Sequence, residues 1–77
     1  MKLPRDLSGA EIITILKRFG YEVVRQKGSH VQLVRRGDRK HTISVPMHDY
    51  LKVGTLHTIL TRVSLNLGLT IDQILKG

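Results

Sequence analysis

The stretch from Tyr21 to Pro46 reads YEVVRQKGSHVQLVRRGDRKHTISVP, and it decides the fold that the sequence predicts. It contains three runs of strand-forming residues, separated by the turn pairs Gly28-Ser29 and Gly37-Asp38. Because such pairs join antiparallel neighbours, the stretch predicts a three-stranded meander. The predicted strands are Tyr21 to Lys27, His30 to Arg35, and Lys40 to Val45, and Pro46 terminates the third strand.

The second strand alternates apolar and polar residues. Side chains alternate across a strand, so Val31 and Leu33 share one face while His30 and Gln32 share the other. If the apolar face packs against helices, His30 points away from the core.

Helix signals flank the meander on both sides. Ser8-Gly9-Ala10-Glu11 fits a capping box and opens a predicted helix from Ser8 to Phe19, which Gly20 terminates. After a polar stretch from Met47 to Gly54, Thr55 or a neighbour opens a second helix that Gly68 ends or interrupts. Thr70-Ile71-Asp72-Gln73 is a second capping box, which predicts a short terminal helix.

The order α-β-β-β-α, with the added short helix, predicts a two-layer α+β domain. Both long helices carry one apolar stripe, and a three-stranded sheet has one face for them to cover. The other face of the sheet is then open, and we expect it to carry much of the basic side-chain set.

Composition limits the classes of protein to consider. The 77 residues predict a single domain over 1–77, and the absence of cysteine excludes disulfides, thiolate zinc sites and cysteine nucleophiles. The apolar runs are too short for a membrane span, and no secretion signal is recognisable. We expect a soluble cytoplasmic protein that needs no cofactor.

Positive charge is concentrated in one segment. From Arg25 to Lys40 there are six basic residues and one acidic residue, so this segment holds +5 of the net +7. Such a concentration favours a polyanion partner, because neutralising phosphates releases their condensed counterions. A solvated basic face, or a surface for an acidic protein, explains the charge as well.

His30 is the histidine that the sequence predicts as a candidate catalytic base. It follows the Gly28-Ser29 turn, it points outward by the parity of its strand, and it lies within the densest positive charge. A neutral imidazole can take the proton of a ribose 2′-hydroxyl near neutral pH. The alternative is a histidine that contacts phosphate and positions RNA without chemistry.

The other histidines give weaker signals. His41 shares parity with Ile43 and is expected to face inward near the sheet edge, and His57 receives no role. Because the four histidines show no paired spacing, we expect no metal site.

Several short motifs together resemble the HicA family of small toxins, over roughly residues 7 to 63. The motifs that carry the resemblance are Leu16-Lys17-Arg18-Phe19-Gly20-Tyr21, Arg25-Gln26-Lys27, Gly28-Ser29-His30, Val45-Pro46-Met47-His48, and Gly54-Thr55-Leu56 with Ile59-Leu60. The segment from Ser64 to Leu69 departs from the family by being a few residues longer.

The resemblance implies a double-stranded RNA-binding-domain-like fold and ribosome-independent cleavage of mRNA, with His30 as the catalytic residue. The implied partner is a HicB antitoxin that covers the active surface. Contact with DNA would be indirect, through that antitoxin.

The predicted reaction is attack of a 2′-hydroxyl on the adjacent phosphorus, giving a 2′,3′-cyclic phosphate and a 5′-hydroxyl. Water is the alternative nucleophile, and the sequence does not decide between the two. Gly28 and Ser29 would position His30, while His48 either donates a proton or holds the loop after Pro46. The predicted RNA contacts are Arg25, Lys27, Arg39, Lys40, and the amino-terminal turn of the second helix with Lys52, Gly54 and Thr55.

Two other classes remain open from the sequence. A non-catalytic module that binds double-stranded RNA explains the charge and the element order equally well. An interaction module whose basic surface meets only an acidic protein is the third hypothesis.

Overall fold

The computed structural model describes residues 7–37 and 40–76, and its elements follow the order α-β-β-β-α-α. The strands pair antiparallel in the order β1-β2-β3, so the predicted α+β fold with a three-stranded meander is confirmed. The elements are α1 (Gly9–Arg18), β1 (Tyr21–Lys27), β2 (His30–Arg35), β3 (His41–Pro46), α2 (Val53–Leu67) and α3 (Ile71–Lys76).

Local signals define both ends of α1. The Ser8 hydroxyl accepts from the Glu11 amide at 3.1 Å, and the Glu11 carboxylate accepts from the Ser8 amide at 3.0 Å. At the other end Gly20 adopts a φ of 93°, which turns the chain into β1. The Arg35 Nε donates to the Phe19 carbonyl at 2.8 Å, so a side chain from β2 satisfies an acceptor at the helix end.

The core lies between one face of the sheet and the helices. α1 packs against β1 and β3, and α2 packs against β3 and α3. Val31 and Leu33 are buried while His30 is exposed, which confirms the parity predicted for β2. The buried apolar residues of the two long helices recur at helical spacing, and they are Ile12, Ile13 and Leu16 on α1 and Leu56, Ile59, Leu60 and Val63 on α2. Phe19, which continues the spacing of α1, is half-buried.

The second helix begins and ends close to its predicted limits. It starts at Val53, two residues before Thr55, and it ends at Leu67, with Gly68 as the C-cap at a φ of 69°. The residues from Ser64 to Leu67 therefore lengthen α2 rather than form a linker. Reciprocal hydrogen bonds between Thr70 and Gln73 then open α3, as the second capping box predicted. Among the described residues, no helix has both the length and the apolarity to cross a membrane.

Candidate functional site

The β1–β2 hairpin places His30 at the start of β2 on the outer face of the sheet. Gly28 has a φ of 60°, as the first position of a type II′ turn requires, and Ser29 has no positive φ. The Ser29 carbonyl accepts a hydrogen bond from the Met47 amide. This bond joins the hairpin to the chain after β3, so His30 lies on a fixed backbone beside Pro46, its partner in the β2–β3 register.

A β-bulge in β1 brings basic residues to the face of His30. The register pairs Val23 with Leu33 and then Arg25 with Gln32, leaving Val24 as the extra residue in β1. If Val24 alternated as a regular strand residue, Arg25 and Lys27 would share the face of the buried Tyr21 and point toward the helices. Because Val24 is an extra residue, Lys27 pairs with His30, and Arg25, Lys27 and His30 share the outer face of the sheet.

Two depressions meet at His30. The outer depression, of about 310 Å³, lies on the open face of the sheet and is lined by Arg25, Lys27, His30, Gln32 and Ser44. The β3–α2 cleft, of about 750 Å³, runs between the third strand and the second helix. His30 and Ser44 line both, so the imidazole stands at the junction of the two.

The β3–α2 cleft combines apolar, hydroxyl and cationic groups. Pro46, Ile43 and Ile59 supply apolar surface, whereas Ser44, Thr55 and Thr58 supply hydroxyl groups. Lys52 and Arg62 are its cations. Among the described residues that line the two depressions there are four cationic side chains and no carboxylate, so the site attracts anions.

The amino terminus of α2 borders this cleft. Lys52 is the N-cap in an extended conformation, with φ of −62° and ψ of 146°, and within the described chain no side chain caps the first turn. A Cβ added to Gly54 would have no described atom within 4 Å. Lys52, Gly54 and Thr55 therefore border the cleft with the first amides of α2, and the phosphate contact expected of them stays a prediction.

His48 lies apart from His30 in the site. It lines a neighbouring groove with Asp49 and Tyr50, and it lines neither of the two depressions. Its carbonyl accepts from the Gly9 amide at 3.0 Å, which anchors the loop after Pro46 to the first turn of α1. This contact is made by the backbone of His48, so both roles that the sequence left open for its side chain stay predictions.

Two other predicted RNA contacts are not brought into the depressions. Lys40 is exposed but lines neither of them, and Arg39 lies outside the described residues. In their place the structure adds Ser44, Thr58 and Arg62, which sequence reasoning missed. The signal available was the helical spacing of Thr55, Thr58, Ile59 and Arg62, which repeats at three and four residues and predicts one helix face.

His41 is part of a polar cluster away from the cleft. Its Nδ1 lies 2.6 Å from the Tyr21 hydroxyl, which also accepts from the Asn66 amide at 3.2 Å. Burial lowers the pKa of His41, and the positive charge of Arg62 lowers it further. Burial also raises the pKa of Tyr21. His41 is half-buried, in agreement with its inward parity.

Residues 7–37 and 40–76 do not gather three histidine or carboxylate side chains into a group that could hold a metal ion. The chemistry available at the depressions is therefore that of one imidazole, four cations, hydroxyl groups and helix amides.

Comparison with known proteins adds one finding. The family model described as the HicA toxin of bacterial toxin–antitoxin systems matches residues 9–65 of the 77, a span that includes the hairpin, the bulge and the whole described lining of both depressions. No curated protein and no solved structure matches the chain significantly.

Proposed function

Because the chain belongs to the HicA family of bacterial toxin–antitoxin toxins, we propose that it is an endoribonuclease that cleaves mRNA. In this proposal it acts without the ribosome and without a metal ion, and a HicB-like antitoxin neutralises it. Membership of the family implies an antitoxin partner in such a system. We place the reaction in the cytoplasm, where mRNA is translated.

The observation that supports this proposal best is the position of His30. It is exposed on the outer face of the sheet, at the junction of two depressions whose described linings hold cations and no carboxylate. An RNA strand whose phosphates bind those cations would have a ribose 2′-hydroxyl beside the imidazole of His30.

The reaction then needs one base and one electrophile. The neutral imidazole of His30 takes the proton of the 2′-hydroxyl, and the oxygen attacks the adjacent phosphorus. The bond from phosphorus to the 5′-oxygen breaks, and the leaving oxygen takes a proton from water. The hydroxide that this water leaves behind takes the proton from the His30 imidazolium, which restores the neutral base. The products are a 2′,3′-cyclic phosphate and a 5′-hydroxyl.

The surrounding residues have supporting roles in this mechanism. Gly28 and Ser29 fix the backbone of His30, while Arg25 and Lys27 hold phosphate on the open face of the sheet. On the other side, Lys52 and the first amides of α2 bind a further phosphate. These groups also stabilise the negative charge that develops on the phosphoryl oxygens.

A second candidate function is an RNA-binding module without catalysis. One observation favours it: among the described residues that line the two depressions, His30 is the sole histidine and no carboxylate is present, so no second acid–base partner stands beside it. DNA enters neither candidate directly, since we assign DNA contact to the antitoxin.

Cleavage of a long mRNA in the presence of EDTA tests the proposal. We expect fragments with 2′,3′-cyclic phosphate ends from the wild type, and a loss of about 10²- to 10⁴-fold in rate for His30→Ala. The matched control is His57→Ala, since His57 is an exposed histidine of α2 outside both depressions.

The outcomes separate the candidates. Intact RNA with wild type and His30→Ala alike, with salt-sensitive binding retained, would support the RNA-binding module instead. Equal cleavage by both would remove His30 from the chemistry, and His48→Ala would be the next variant. Addition of the antitoxin to the active wild type is expected to stop cleavage.

A further inference from the structure

The two depressions that meet at His30 differ in chemistry, and the difference bears on which RNA fits them. The described lining of the outer depression consists of polar and charged side chains, among them the cations Arg25 and Lys27, as suits a sugar–phosphate backbone. The β3–α2 cleft is larger, and its lining also includes the half-buried Pro46 and the edges of the core residues Ile43 and Ile59, which are 4% and 5% exposed. A backbone phosphate gains nothing from such apolar surface, whereas the face of a nucleobase does.

One face of α2 forms a wall of the cleft. Thr55, Thr58, Ile59 and Arg62 line it, and their spacing of three and four residues places them in a row along the helix. Lys52 and Arg62 are ten positions apart, so at 1.5 Å per residue they are separated by about 15 Å along the axis. Cations so placed can contact the backbone on either side of a base in the cleft.

A base can enter this cleft only when it is unstacked and unpaired. In an A-form duplex the bases lie inside, and the duplex offers its partner phosphates and 2′-hydroxyls. A splayed nucleotide also frees the 2′-oxygen to align with the phosphorus, which a regular duplex backbone opposes.

We infer that the β3–α2 cleft is a subsite for one unpaired nucleotide of single-stranded RNA next to the scissile phosphate, with Arg62 as a phosphate contact. This inference rests on the proposed ribonuclease function and specifies its substrate. The base lies against Pro46 in the cleft. The scissile phosphate lies at His30, and the strand continues over Arg25 and Lys27.

The test compares two variants that differ in position but match in local structure. Thr58 in α2 and Thr14 in α1 are both exposed, and each hydroxyl donates to the carbonyl four residues earlier, at 3.0 and 3.1 Å respectively. Thr58→Phe fills the cleft with an aromatic ring, whereas Thr14→Phe places the same ring on the outer face of α1.

We expect Thr58→Phe to lower kcat/KM on a single-stranded oligonucleotide by about 10²-fold, because displacement of the nucleotide misaligns the reacting atoms. Thr14→Phe should stay near the wild type. For the wild type, the same cleavage sequence enclosed in a fully paired hairpin should react at least about tenfold more slowly, the penalty of breaking one pair and its stacking.

A second pair of variants covers the case in which Thr58→Phe does not fold. Arg62→Gln is expected to raise KM about tenfold through loss of one charge-assisted phosphate contact. Arg18→Gln, on α1 and outside both depressions, should leave KM unchanged.

The outcomes distinguish the inference from the function on which it rests. Equal rates on paired and unpaired RNA, or wild-type kinetics for both Thr58→Phe and Arg62→Gln, would overturn the subsite while leaving the ribonuclease in place. Absence of cleavage by the wild type on every RNA would overturn both.

Discussion

At the scale of single residues, His41 is the histidine whose charge state is coupled to folding. The Tyr21 hydroxyl accepts from the Asn66 amide and lies 2.6 Å from the His41 Nδ1, so a neutral His41 can accept the Tyr21 proton at that nitrogen. Burial, assisted by the charge of Arg62, lowers the pKa of His41 in the folded protein. The unfolded chain, with an imidazole pKa of about 6.5, therefore binds this proton more readily.

The sign of the pH dependence follows from this difference. The contribution of His41 to stability is fully present above a pH of about 6.5 and is lost as the pH falls from there through the lower folded-state pKa. We expect the urea midpoint of the wild type to fall between pH 7.5 and pH 5, and to fall less for His41→Gln. His57→Gln, which changes an exposed histidine, should follow the wild type. Identical pH profiles for His41→Gln and the wild type would contradict this account.

At the scale of elements, two glycines in the first turns of helices differ in the space that surrounds them. A Cβ at Gly9 would lie 2.0 Å from the Pro46 carbonyl oxygen, whereas a Cβ at Gly54 would meet no described atom within 4 Å. We expect Gly9→Ala to reduce the free energy of unfolding by about 1–3 kcal/mol, since backbone atoms must move. Gly54→Ala should be neutral or stabilising by up to about 1 kcal/mol.

Chemical denaturation of both variants, with RNA binding measured alongside, checks this prediction. If Gly54 is present to let RNA approach the first turn of α2, Gly54→Ala keeps its stability and binds RNA more weakly. A stable Gly9→Ala would mean that the junction between α1 and the chain after β3 is not closely packed.

The bulge in β1 gives a prediction about a deletion. Removal of one strand residue normally turns the rest of the strand to the other face. Val24, however, is the extra residue, so its deletion leaves the Val23–Leu33 and Arg25–Gln32 pairs in place. We expect the deletion of Val24 to fold and to bind RNA, as shown by an intact thermal transition and a retained gel shift.

The control deletion removes Gln32, which pairs with Arg25 in β1 and with Ser44 in β3. It should abolish the cooperative transition, because half of β2 would present its apolar residues to solvent. If the Val24 deletion also unfolds, the bend at the bulge is itself required for packing.

At the scale of the whole molecule, what the sequence predicts divides by the range of the interaction. The limits of α1 and of the first two strands depend on contacts within a few residues, such as the Ser8–Glu11 capping box and the Gly28 turn, and these were predicted correctly. Alternation in β2 likewise placed His30 outward. Short motifs sufficed because the relevant partners are neighbours in the chain.

The composition of the site depends on longer-range pairing. Val24 is recognisable as a bulge only once β1 is aligned with β2, and Arg62 enters the site because α2 packs beside β3. Helical spacing shows that Thr58 and Arg62 share a face, but it does not show which strand that face meets. The sequence therefore predicted the outward position of His30, but not the cleft that it borders.

The cationic set as a whole gives the last prediction. Each of the four cations Arg25, Lys27, Lys52 and Arg62 can neutralise one phosphate of a single RNA strand. The logarithm of the association constant for RNA then falls against the logarithm of the salt concentration with a slope of about −2.8, at about −0.7 per phosphate. Uncleavable 2′-O-methyl RNA allows this slope to be measured without turnover. Arg62→Gln should reduce its magnitude by about 0.7, whereas Arg18→Gln should leave it unchanged. A slope that both variants reduce equally would mean that RNA binds through the net charge of +7 rather than at the two depressions.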